Sequence, residues 1–307
     1  MKIFIFTLTN KIQTKSNQRV ETSFFLNNSQ DIIRNTSHYE LAITRFSLNT
    51  QSLPIFIPQM KDDNSMDAIY SCTMEYNGYI FQQYMPFIPQ NISPIEAEEK
   101  YYVYNYQYVV YLFNNMMIEC IKGLSELTVC PTGLAPLMYF DINNKIVGIQ
   151  LDIYNYGYND NNKINVYFNT HMYSLISTIP ASMITQSQGR DFQLNNLICD
   201  DPSLLIQEMS TINVWNPISS IVFKSNLLPI YASVTAPIQI YTDGKLSNNN
   251  TSYHFQNILT DFIGNDMIFT PFVQYAPSIY RFMSLKSNSQ IRNIDLQVYW
   301  FKRDAEA

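Results

Sequence analysis

Apolar and polar residues alternate in short runs along most of this chain, and a period of two is the pattern of a half-buried β-strand. Tyr39, Leu41 and Ile43 alternate with Glu40, Ala42 and Thr44. Tyr70, Cys72, Met74 and Tyr76 alternate with Ser71, Thr73 and Glu75, and the run stops at Asn77-Gly78, a favoured tight-turn pair. Ile149, Leu151 and Ile153 follow the same rule, as do Ile164, Val166 and Phe168, and finally Ile294, Leu296, Val298 and Trp300. Each of these runs predicts a strand with one face in a core and the other turned to solvent or a partner.

Helical periodicity is scarce. Phe113, Met116, Met117, Cys120, Ile121, Leu124 and Leu127 form one apolar stripe and predict a helix over 112–127. A shorter helix is expected from Asn169 through Met172, Leu175 and Ile176, ended by Pro180. The Met pair in the first stripe reads as core rather than as an adaptable binding surface. Tyr102, Tyr104, Tyr106 and Tyr108 fall on one face if their segment is a strand. Such a face suits a buried or interface layer, and less readily a stacking platform for sugars.

Two composition breaks divide the chain. Pro86, Pro89 and Pro94 lead into Glu96-Ala97-Glu98-Glu99, and a loop-rich stretch covers Thr185 to Ser203. They predict a mainly β domain carrying one helix over 87–200, inserted into an all-β unit built from 1–86 and 201–307. Within that unit, 1–38 is a candidate arm.

Composition adds that the chain builds a large core: 46% of its 307 residues are hydrophobic, with 23 Tyr and 19 Phe. Only 14% are charged, against roughly 25% in an average soluble domain, and 32 Asn fill much of the gap. An AT-rich genome accounts for part of this bias, although it would favour Lys too, and there are only 12. A surface poor in charge repels its own copies weakly, which permits assembly. The net charge of −6 argues against a dedicated nucleic-acid binder. Five cations within the first 38 residues (Lys2, Lys11, Lys15, Arg19 and Arg34) make at most a weak patch, so contact of that arm with nucleic acid is disfavoured. Cys72, Cys120, Cys130 and Cys199 are widely spaced and predict reduced thiols from a cytoplasmic site of synthesis. The apolar run Ile3–Leu8 is too short for a secretory leader and reads as a first strand. No stretch of 18 apolar residues predicts a membrane span.

Catalytic chemistry finds no constellation. His38, His171 and His254 stand far apart and match no metal-ligand spacing. GxSxG, a Walker loop and GxGxxG are all absent, and eight Gly leave little material for a phosphate cradle. Of the carboxylates, Glu96, Glu98 and Glu99 read as a solvated linker. Asp200 with Asp201, or Asp243 with Asp261 and Asp266, match no calcium-loop spacing, and Asp160-Asn161-Asn162 reads as a turn. No catalytic, metal or cofactor-binding residue is assigned, no cofactor is expected, and the chain is not expected to be an enzyme.

The final third carries a recognisable succession. It runs from Ile206-Gln207-Glu208-Met209-Ser210-Thr211-Ile212-Asn213-Val214-Trp215-Asn216-Pro217 through Ser225-Asn226-Leu227-Leu228-Pro229-Ile230 and Asn257 to Asp261-Phe262. Tyr275-Ala276-Pro277, Tyr280-Arg281 and Val298-Tyr299-Trp300 complete it, and Asn114 with Pro136 to Asp141 is compatible. This resembles the penton, or minor capsid, proteins of virophages and Polinton-type elements. The resemblance implies a single antiparallel jelly-roll sandwich whose insertion faces outward. It also implies a homopentamer at the five-fold vertices of a virion, seated against trimers of a double-jelly-roll major capsid protein. Trp215 and Trp300 would then be core anchors, Pro217 and Pro229 strand limits, and Asp261 a local cap. The alternative is a glycan- or receptor-binding jelly-roll module, and the two are compatible if the insertion meets a host surface.

Overall fold

A computed structural model describes residues 22–27, 31–49, 53–63, 65–89, 101–131, 134–184, 189–199, 201, 203–231, 233–235, 240–242, 245–247, 254–262, 272–276, 281–286 and 288–302. The chain divides into two compact units. One is split in sequence, 1–53 with 218–307, and the other is continuous, 54–217.

Eight of the twelve strands described in the split unit carry its nested pairings; the other four are pieces of two or three residues. In chain order the eight are Thr22–Asn27, Phe46–Asn49, Ile218–Lys224, Ser233–Thr235, His254–Gln256, Ile258–Phe262, Phe272–Tyr275 and Asn293–Lys302. The first pairs antiparallel with the eighth, the second with the seventh, the third with the sixth and the fourth with the fifth. Such nesting is one long hairpin folded over on itself, the wiring of a jelly roll. The third strand also pairs with the eighth, so first, eighth, third and sixth make one four-stranded sheet. Phe46, on the second strand, brings its ring within 5.1 Å of Phe223 and 4.7 Å of Phe262, on the third and sixth strands. Those contacts join the two strand layers through apolar area.

The continuous unit leaves the jelly roll between its second and third strands. It holds a five-stranded antiparallel sheet in the order Tyr79–Pro86, Asp67–Tyr76, Asn165–Phe168, Phe192–Leu194, Ala181–Met183. A three-stranded sheet of Leu204–Ile206, Ile146–Gln150 and Leu137–Asp141 completes its strands among the described residues. Helix α1 (Tyr106–Leu127) packs on the hairpin 67–86 and on strand Leu137–Asp141. Its expected stripe is buried at Phe113, Met116, Met117, Cys120 and Leu124, while Leu127 is half exposed. Gly123 lies where the helix meets Phe81: a Cβ there would stand 2.2 Å from the ring, so only glycine permits this approach. α2 (Thr170–Leu175) starts where expected, with the Asn169 side chain accepting from the Met172 amide at 2.9 Å. A third, short helix, α3 (Ile212–Trp215), was not foreseen, so this unit carries more than the one helix expected.

The fold is mostly β and antiparallel, as the alternation predicts, but three expectations change in detail. The composition breaks fall inside the continuous unit, because strand Leu204–Ile206 still pairs with Ile146–Gln150 and the hairpin 67–86 pairs with Asn165–Phe168. The observed limits are 53/54 and 217/218, in place of 86/87 and 200/201. Second, Ser71 and Thr73 are buried along with their apolar neighbours. That is tolerable because Gln82 donates to Ser71 Oγ at 2.9 Å and Thr73 Oγ donates to the Gly189 carbonyl at 3.2 Å. Third, residues 39–44 contribute only the two-residue strand Glu40–Leu41, and 152–154 lie in a turn beyond strand Ile146–Gln150. The expected first strand over 3–8 lies outside the described residues.

Candidate functional site

The aromatic run does not form a strand face. Asn105 ends it as extended chain by accepting the Tyr108 amide at 2.7 Å, which caps α1. Tyr106 then turns inward and stacks on Phe140 with ring centroids 4.9 Å apart, while Tyr108 and Tyr111 remain side by side on the helix, 5.5 Å apart. The run is therefore divided between core and surface, and the continuous platform it suggested does not exist.

Trp215 is the centre of that core. It is 2% exposed, and Phe56, Tyr106, Phe113 and Phe140 all place their rings 6.0–6.3 Å from it. Its indole N–H donates to the Leu175 carbonyl at 2.7 Å, and the Thr211 hydroxyl donates to the same oxygen at 2.5 Å. Gln207 donates to Thr211 at 2.8 Å and accepts the Val147 amide at 2.8 Å. Within the succession 206–217, Gln207 and Thr211 thus join Trp215 in one inward-facing chain of hydrogen bonds. Asn114 and Met138 are joined as well: the Asn114 amide donates to the Met138 carbonyl at 2.9 Å and accepts its N–H at 2.7 Å. That side chain does for strand Leu137–Asp141 what a neighbouring strand would do, and so closes a sheet edge.

In the split unit the equivalent fixed point is Asp295. It occupies a polar position of the last alternation, on the face expected to meet solvent or a partner, yet it is 1% exposed. Its carboxylate accepts the amides of Asn226 (2.8 Å) and Leu227 (2.8 Å) together with the Ser225 hydroxyl. Ser225 Oγ in turn accepts the Leu228 amide at 2.9 Å. Two backbone donors and a hydroxyl offset the cost of burying this charge, and with the Leu228 amide on Ser225 Oγ they pin the turn after strand Ile218–Lys224. Asp261 is not a cap: it lies mid-strand, exposed, and pairs with Arg281 at 2.8 Å. Pro217 immediately precedes strand Ile218–Lys224, whereas Pro229 lies past its end and offers its carbonyl to Lys286.

The residues weighed for chemistry do not converge. His38 and His171 are exposed and belong to different units. Among the described residues no three His, Cys, Asp or Glu side chains gather as metal ligands. Asp201 accepts from Ser203, whose hydroxyl and amide hold the carboxyl below its usual range, and Asp160 accepts the Asn162 amide in a local turn. Glu96, Glu98, Glu99, Asp200, Asp243 and Asp266 lie outside the described residues. All four cysteines are free thiols. No helix among the described residues is long and apolar enough to cross a membrane.

What the surface offers is contact area. Val129, Leu134, Tyr154, Met183, Leu197 and Ile198 of the continuous unit are exposed, as are Leu227, Tyr231 and Phe282 of the split unit. The family described as Sputnik minor capsid protein V18/19 matches residues 3–305. The chain belongs to this family. It is accordingly a structural component of a virus capsid, resident in the virion, and not an enzyme. Among its relatives, the uncharacterized protein V18 of the Sputnik virophage is 30% identical over 130 residues, covering 36% of this chain and 75% of that protein. Two solved structures share the fold of this minor capsid protein. A chain in the 3.5 Å cryo-EM structure of the Sputnik virophage matches with TM-score 0.73 at 22% identity, over 94% of this chain and 92% of that one. The crystallised mavirus penton protein matches with TM-score 0.65 at 18% identity, over 93% and 84%.

Proposed function

We propose that this minor capsid protein is a penton: five copies close a ring at each five-fold vertex and seat against trimers of the major capsid protein. The observation that carries the reading is the fold, a jelly roll with a continuous unit between its second and third strands, shared over 93% of the chain with a protein that is itself a penton. A ring of identical copies uses two different, complementary flanks of each subunit. Sparse surface charge favours such flanks. In this reading the split unit is the wall piece, and the continuous unit is the outward insertion, where any contact with a host receptor or glycan would be made. The test is the solution mass of the full chain, alone and mixed with the major capsid protein. Pentamers or a co-assembly are expected. A monomer that ignores the major capsid protein at every ratio would sink the proposal.

A further inference from the structure

The modest net charge of −6 conceals two units of opposite sign. The split unit, 1–53 and 218–307, has thirteen Lys and Arg against nine Asp and Glu. The continuous unit, 54–217, has six against sixteen. One unit therefore carries +4 and the other −10, with the three His counted neutral. The asymmetry follows neither size nor overall composition, since the two units are of similar length.

In a closed ring each unit has its own kind as neighbour. Repulsion between like units scales with the product of their charges, so at equal distance it is about six times stronger between continuous units than between split units. Ring closure gathers five anionic units around one axis, and nothing in their own composition compensates. We propose that this charge holds neighbouring continuous units apart, so that copies join through their split units and ionic strength sets how tightly the ring closes. The inference rests on the ring reading above. Its physical consequence is specific. At about 10 mM salt the screening length is about 30 Å, comparable with a domain, and the repulsion is felt between neighbours; at about 150 mM it is about 8 Å, and the repulsion is largely screened.

Asp62, Glu126 and Glu208 are exposed acids of the continuous unit with no ion-pair partner among the described residues, so they can be neutralised without dismantling the fold. The experiment measures self-association of the full chain by sedimentation at 10, 50 and 150 mM NaCl, beside the triple variant D62N/E126Q/E208Q. The expected result is an association constant that rises at least tenfold from 10 to 150 mM for the native chain. The triple variant should associate more tightly at 10 mM and equally at 150 mM. Because salting-out of apolar surface would move both chains alike, convergence of the two curves isolates charge. Association that is indifferent to salt, that weakens as salt rises, or that is the same for both chains at 10 mM overturns the inference and leaves the ring standing. A chain that stays monomeric at every salt, with and without the major capsid protein, overturns the ring and this inference together.

Discussion

The two units solve the same problem, fixing a loop against a sheet, with opposite chemistry. In the continuous unit the segment before Pro217 is held by an aromatic cluster: Trp215 is enclosed by Phe56, Tyr106, Phe113 and Phe140, with its one polar atom satisfied by the Leu175 carbonyl. In the split unit the segment 225–228 is held by a single buried carboxylate, Asp295, which gathers donors from the backbone. The first device is spread over many weak contacts and degrades gradually. The second is concentrated in one charge, and once that charge is removed the donors around it are left unsatisfied. Dispersion and burial therefore predominate where the sequence is aromatic, and charge-assisted hydrogen bonding where it is strand and turn.

The largest effect is expected from Trp215→Ala. Losing a fully buried indole costs about 4 kcal/mol, transfer and cavity terms together. Hydrogen exchange should speed up in peptides covering 101–131 and 204–216 while those from 293–302 keep their protection. Equal loss in both units would break the distinction. Asp295→Ala comes next, at about 3 kcal/mol, since charge-assisted bonds are worth roughly 1.5–3 kcal/mol and buried donors lose their partner. Its signature is the reverse: exchange rises in 218–231 and 293–302, with α1 protected. An Asp295→Ala chain as stable as the native one would show that the clamp is incidental.

Alkali separates the units by a different route. Burial pushes Tyr70 up to about 12, and it also raises Tyr106, Tyr156 and Tyr167, all in the continuous unit. In the unfolded chain a tyrosine ionises near 10, so the folded state retains protons that the unfolded state has released. The stability from Tyr70 is whole below pH 10 and is lost as pH climbs from about 10 to 12, in all about 2–3 kcal/mol. Phenolate absorbance should rise in two steps, an early one from exposed tyrosines and a later one coincident with loss of the helical circular dichroism of α1. All tyrosines ionising near pH 10 with the helix intact would refute it.

How much of this was legible in the sequence depends on which neighbour decided the outcome. The helix stripe, the Asn77-Gly78 turn, where both residues adopt positive φ, and the start of α2 at Asn169 rest on local chemistry and read correctly. Alternation misled wherever a polar position met a partner remote in sequence. Asp295 meets Ser225 from 70 positions away, and the buried Ser71 and Thr73 find hydrogen-bond partners in Gln82 and Gly189. The tyrosine run misled for a local reason: Asn105 is a good helix cap, and the β-prone Tyr and Val on either side of it give the segment the look of a strand. The motif succession showed where the chain was recognisable without showing why. Gln207, Thr211, Trp215 and the Asn114–Met138 bridge are joined only in three dimensions.

The smallest effect is expected where the motif looked most chemical. Asp261 and Arg281 form an ion pair at 2.8 Å, with about half of the carboxylate side chain and two thirds of the guanidinium side chain exposed. Water competes for both groups, and holding two side chains in one geometry costs entropy, so Asp261→Asn should change stability by no more than about 0.5 kcal/mol. Read beside Asp295→Ala in the same unit, it measures what burial does to a carboxylate: two aspartates on strands of one sheet, one essential to the fold and the other nearly silent in it. If Asp261→Asn leaves the isolated chain unchanged yet weakens assembly with the major capsid protein, the pair belongs to a contact and not to the fold. If it destabilises the isolated chain as much as Asp295→Ala, exposure is a poor guide to which charges matter here, and the distinction between buried clamp and surface pair fails.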